Sequence, residues 1–152
     1  MALKIVELVS ITLSALVMGV FWGPWLGIHR SSHTFGTDLY LEIGRRMGQN
    51  IGPVMTVLMP VSLLSMLPVL VLSYGVQPQT FYLTLVGVAL FVTALLVTMI
   101  VEVPIANQIA VWTPATLPSD WQRLRDRWGR FHVVRVIVSV AGLMLLVSGA
   151  IF

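Results

Sequence analysis

The chain has 152 residues, of which 57% are hydrophobic and only 10% charged, and it contains no cysteine. Soluble domains carry about 25% charged residues, so a water-soluble globule is excluded, and so are disulfides, thiolate catalysis and thiolate metal sites. The net charge of +3 comes from arginines that flank apolar runs, which points to membrane topology and not to nucleic acid.

Four apolar runs fall at about Ile5–Gly27, Ile51–Ser73, Phe81–Val103 and Phe131–Ile151. Each is about 20 residues, the length an α-helix needs to cross roughly 30 Å of hydrocarbon. The fold predicted is all-α: one four-helix transmembrane bundle over residues 1–152. The first run is longer than a signal-peptide core, has Glu7 near its start and lacks a small-residue cleavage site, so it reads as a retained helix. Lys4 and Glu7 should form a local pair, and Gly23-Pro24 should bend or break this helix near its end. In the second run Pro53 suits a first turn, whereas Pro60 and Pro68 should kink the helix. The third run ends at Glu102-Val103-Pro104, because proline disfavours the α conformation at Val103, with a short helix able to resume over Ile105–Trp112. Trp112, Trp121 and Trp128 bracket the connection that follows, as aromatic anchors at a headgroup layer do. On the fourth run His132, Arg135, Ser139, Gly142 and Gly149 share one face, and the small residues among them read as a packing seam. The first and third connections are expected to be the irregular segments.

Charge sets the orientation. Arg30, Arg45 and Arg46 lie in the first connection, and Arg123, Arg125, Arg127 and Arg130 in the third. The middle connection, Tyr74–Thr80, carries none. The positive-inside rule places connections one and three in the cytoplasm and both termini outside.

Polar groups at membrane depth are costly and usually functional, and here they gather at the arginine-rich end. His29-Arg30-Ser31-Ser32-His33 follows helix one, Glu102 closes helix three with Asn107 and Gln108 beyond it, and His132 and Arg135 open helix four. Glu102 is expected to pair with Arg135, since either charge alone would be strongly penalised. His29 and His33, four residues apart, would bring two imidazoles to one metal if the helix continued that far. Interfacial loop histidines are commoner, so no metal is assigned.

Val103-Pro104-Ile105-Ala106-Asn107, then Trp112, Asp120-Trp121, and Arg127-Trp128-Gly129-Arg130-Phe131-His132-Val133-Val134-Arg135 resemble the anthrone oxygenase-like family of small four-helix membrane proteins. The shared pattern is Val-Pro-x-x-Asn after helix three, and a Trp followed by Asn or His and then Arg as helix four begins. The chain departs from it at Glu102, where a neutral polar residue is expected, and in helix one. The resemblance implies oxidation of an anthrone-like polycyclic phenolic with molecular oxygen and no added cofactor, in a bacterial inner membrane. On that reading His132 or Glu102 is the base, and Arg135 and Asn107 are oxyanion partners. Trp128, Trp25, His29 and His33 are the candidates to line the substrate. The partners expected are the bilayer, an apolar aromatic molecule and oxygen, with a homo-oligomer or larger membrane complex as a further possibility. Two other readings stand. One is a non-catalytic subunit or assembly factor that packs through small-residue stripes at Gly19/Gly23 and Gly142/Gly149. The other is a metal-dependent oxidoreductase built on His29, His33, His132 and Glu102.

Overall fold

A computed structural model describes all 152 residues. It contains four helices long and apolar enough to cross a membrane and no strand. Helix α1 spans Ala2–Gly27 and α2 spans Thr37–Ser73. Helix α3 is a continuous rod over Pro78–Val111, and α4 spans Trp121–Ile151. Neighbours run antiparallel. Lys4 Nζ donates to the Ala150 carbonyl at 2.7 Å, so the two termini meet at one end of the bundle.

Every helix is longer than its apolar run. Helix α2 begins 14 residues before Ile51 and α4 ten residues before Phe131, while α3 continues to Val111 straight through Pro104. The first and third connections are therefore mostly helical, and the irregular backbone shrinks to short stretches around Ile28–Gly36 and Trp112–Asp120. Hydrophobicity marks only the part of a helix that meets lipid. Beyond that part the helices stay folded because they turn amphipathic and bury a second, smaller core. Leu41 of α2 meets Val101, Ile105, Ile109 and Trp112 there, with Trp121, Leu124, Trp128 and Phe131 of α4 packed around them. Those four α4 residues recur at helical spacing.

The prolines of α1 and α2 leave their helices unbroken. Helix α1 passes Pro24 and ends at Gly27, and α2 passes Pro53, Pro60 and Pro68 without a break. Pro104 has a visible effect. A proline ring clashes with the carbonyl four residues earlier, and here the preceding turn, Thr98–Glu102, widens into a π-helix with Val103 N–H bonded to the Thr98 carbonyl. Such one-turn widenings re-aim side chains and often occur at functional sites.

The main core is made by Val17, Phe21, Met59, Met66, Phe91, Ala94, Val136 and Leu146, drawn from all four helices. Its tightest seam lies between α3 and α4, where the Phe91 ring covers Gly142 so closely that a Cβ there would sit 2.9 Å from the ring. Thr80 Oγ1 donates to the Gly149 carbonyl at 2.7 Å along the same seam. The expected role of Gly142 and Gly149 in packing is thus met. Leu8, Leu16, Val57, Leu64, Val86, Leu96, Ile137 and Met144 point outward and exposed, the apolar surface a bilayer requires.

Candidate functional site

The π-turn of α3 and the first membrane-depth turns of α4 together build an ion cluster at the end of the bundle away from the termini. Glu102 closes the π-turn, and Thr98 lies four residues earlier. On α4, His132 and Arg135 are three residues apart and face both. All three ionisable side chains are enclosed: Glu102 is 3% exposed, His132 1% and Arg135 9%.

Arg135 is the hub. Its Nη1 pairs with Glu102 Oε2 and donates to Thr98 Oγ1 at 3.1 Å. Its Nη2 donates to His132 Nδ1 at 2.8 Å. The guanidinium also lies 4.0 Å from the centre of the Phe21 ring, a cation–π contact that is stronger in a desolvated setting. Thr98 can accept from Arg135 because its own hydroxyl proton goes to the Ala94 carbonyl at 2.8 Å. One carboxylate against one guanidinium leaves the cluster neutral, the condition under which buried charge is tolerable.

The partners of His132 define its protons. Nε2 lies 3.1 Å from the Phe21 carbonyl, which can only accept, so Nε2 carries a hydrogen. Nδ1 receives the Arg135 hydrogen and therefore presents a lone pair. Glu102 Oε1 waits 3.2 Å from the same Nδ1. A proton arriving at Nδ1 would be held by Glu102 at once, at the expense of the Arg135 bond. The cluster therefore combines a proton acceptor, a carboxylate to hold the resulting imidazolium and a fixed cation.

Aromatic walls complete it. The Trp128 indole stacks on the His132 imidazole with centroids 4.7 Å apart and planes 13° from parallel. His29, on the short 3-10 segment after α1, lies 5.9 Å from Trp128 and 6.1 Å from His132. It presses on α4 at Gly129, where any Cβ would overlap the His29 ring. Only glycine admits the histidine there.

The expected pairing of Glu102 with Arg135 is present, and His132, Trp128 and His29 join it. The remaining candidates make no hydrogen bond, ion pair or ring contact with Glu102, His132 or Arg135. Asn107 is exposed and makes no side-chain hydrogen bond, because five residues beyond Glu102 a helix has turned to another side. His33 is exposed; the 3-10 geometry of His29–Thr34, with three residues per turn, points its ring away from His29. The Trp25 ring lies 5.3 Å from Trp22 and beneath the Arg30 guanidinium, 5.9 Å away. His29, His33, His132 and Glu102 do not converge into a group of three or more donors able to hold a metal.

Three participants went unnoticed in sequence. Thr98 precedes Glu102 by one turn and was findable by that spacing. Gly129, inside the Trp-Gly-Arg-Phe-His stretch, gave no hint of the ring it accommodates. Phe21 contributes a carbonyl and a ring face, neither of which leaves any signal in a run of apolar residues.

The model of the family described as "Anthrone oxygenase" matches residues 49–145, well over half of the chain and every cluster residue except those on α1 and its following turn. No curated protein and no solved structure matches it.

Proposed function

The chain belongs to the anthrone oxygenase family, and on that premise we propose that it is a membrane-embedded oxygenase. It oxidises an apolar polycyclic phenolic of anthrone type with molecular oxygen and no added cofactor. The observation that carries this reading is the placement of a lone-pair nitrogen, His132 Nδ1, between a carboxylate and a guanidinium under an indole lid.

An anthrone is a carbon acid. His132 Nδ1 takes the proton from its ring CH2, and Glu102 holds the imidazolium that results. The negative charge moves to the substrate oxygen, where Arg135 stabilises the oxyanion. The electron-rich enolate passes one electron to oxygen, and the two radicals combine into a carbon–peroxide. The peroxide then loses water: His132 returns its proton to the terminal oxygen, the hydrogen left on the oxidised carbon departs as the O–O bond breaks, and a new carbonyl remains. Carbon is oxidised and oxygen reduced, with no other electron source needed. Trp128 covers the ring face of His132 and Arg135 occupies its Nδ1, so substrate enters from the headgroup side by displacing the indole and the neighbouring His29 and then takes the place of the Arg135 hydrogen bond. Asn107 contributes only if that opening also turns the end of α3.

The seven arginines at this end favour a cytoplasmic face in a plasma membrane, with the termini outside. A second reading, a subunit that packs on other membrane proteins, draws on Gly19 and Gly23, which are exposed on α1 with open space before them. Oxygen uptake by purified protein in nanodiscs supplied with anthrone separates the two. Uptake matched by anthraquinone formation supports the oxygenase, and none with anthrone or hydroxylated relatives favours the subunit.

A further inference from the structure

A second buried carboxylate lies at the opposite end of the bundle and has no part in the cluster above. Glu7 is 4% exposed, and its Oε1 has no hydrogen-bond donor from the protein. Lys4 Nζ stands 3.1 Å from Oε2, so the charge is balanced. The same ammonium also donates to the Ala150 carbonyl. One turn along the same face, the Ser10 hydroxyl is also fully buried and unpartnered. Other helical hydroxyls of this chain, at Thr12, Ser14, Thr93, Ser139 and Ser148, donate to the carbonyl four residues back. Ser10 has the same option and leaves it unused.

From these groups we propose that Glu7 and Ser10 hold a small cluster of internal water, reached from the end of the bundle where the termini meet and where Lys4 stands at the mouth. Water is the fitting ligand because what is missing is hydrogen-bond donors for Glu7, not positive charge, which Lys4 already supplies. A buried water needs two to four polar partners, and two carboxylate oxygens with a hydroxyl provide them. The floor is the Ser14–Ser62 contact between α1 and α2, with hydroxyls 3.2 Å apart. The contacts of Lys4 with Ala150 and of His132 with Phe21 fix the register of α1 against α4 and bring Ser139 to the same level. Below this floor Val17, Met59, Ala94 and Val136, all buried, close the bundle with an apolar layer. Glu7 and Phe21 are about 21 Å apart along α1 at 1.5 Å per residue. The bundle thus contains two polar sites with a dry partition between them, and the inlet at Glu7 serves water exchange at that end alone.

The wild-type chain carries its own reporters. Register from Ser14–Ser62 sets Met66 beside Ser10 and Met59 beside Val17, and both methionines are fully enclosed. X-ray radiolysis in liposomes turns bound water into hydroxyl radicals that oxidise the nearest sulfur. Met66 should be oxidised several-fold faster than Met59. Because the chain has no cysteine, Ser10→Cys and Val17→Cys give a second measurement with the water-soluble reagent 2-aminoethyl methanethiosulfonate. Position 10 should react roughly tenfold faster, since the reactive thiolate forms only where water reaches it. Equal protection of the two methionines, or equal rates at positions 10 and 17, overturns the proposal.

Discussion

Arg135 Nη2 donates to His132 Nδ1 at 2.8 Å, while the opposite nitrogen of the same imidazole donates to the Phe21 carbonyl. A guanidinium cannot accept and a carbonyl cannot donate, so these two bonds select the Nε2–H tautomer. Nitrogen NMR of histidine-labelled protein in lipid should find, among the three histidines, one with a bare Nδ1 and a hydrogen-bonded Nε2. In an Arg135→Gln variant that fixed donor is gone, and Nδ1 is free to take a proton toward Glu102. An Nδ1–H tautomer in the wild type would invert the roles assigned to the two nitrogens.

Glu102 and Arg135 should behave as one unit in stability. Removing one partner of a buried ion pair costs about 3–5 kcal/mol, because it strands the other charge in a low dielectric. Glu102→Gln and Arg135→Gln should each be strongly destabilising, and the double variant should lose clearly less than their sum. Unfolding free energies of the four proteins in bicelles complete the cycle. Additive costs would mean that the contact does no energetic work.

Much of this fold was legible in the sequence, and the reason is lipid. Membrane length is a strong signal, and the four spans followed from it; the Glu102–Arg135 pair followed from the cost of a lone charge at membrane depth. Helix ends were misjudged where hydrophobicity gave way to amphipathic packing, as at Leu41 and Trp121, since a twenty-residue apolar window is blind to a stripe beyond the bilayer. Within the site, side-chain chemistry was readable and backbone chemistry was not. Arg135 could be seen to need a carboxylate. That Phe21 would lend a carbonyl to His132 depended on the register of α1 against α4, which no single residue encodes. The π-turn was half visible: Pro104 announced a disturbance, and its form, a widened turn that sets Thr98 and Glu102 on one guanidinium, required the packed partner.

Gly129 should be intolerant of any side chain for a local reason. A methyl group there meets the His29 ring head-on, and such overpacking costs about 1–3 kcal/mol. Gly129→Ala should lower the melting temperature, and His29→Ala in the same chain should restore most of the loss by making room. If the double variant is no more stable than Gly129→Ala, the glycine matters for α4 itself and His29 is a bystander.

The decisive test concerns which group takes the proton. His132 Nδ1 is the imidazole nitrogen that faces both Glu102 and Arg135. His132→Gln can keep a hydrogen bond to the Phe21 carbonyl through its amide, so folding should survive, yet it offers no basic nitrogen. General base catalysis contributes about 10²–10⁴-fold, and anthrone-dependent oxygen uptake should fall by that order with little change in melting temperature. Glu102→Gln leaves the imidazole in place without the carboxylate that holds its proton. Its turnover, measured under conditions where it remains folded, should fall less than that of His132→Gln. Supplying the substrate as its preformed enolate, at high pH, removes the need for a base and should rescue His132→Gln but not Arg135→Gln, whose missing cation acts after the proton has left. Full turnover by His132→Gln at neutral pH, or a larger loss in Glu102→Gln than in His132→Gln with both folded, would transfer the base to Glu102 and leave His132 as a positioning residue.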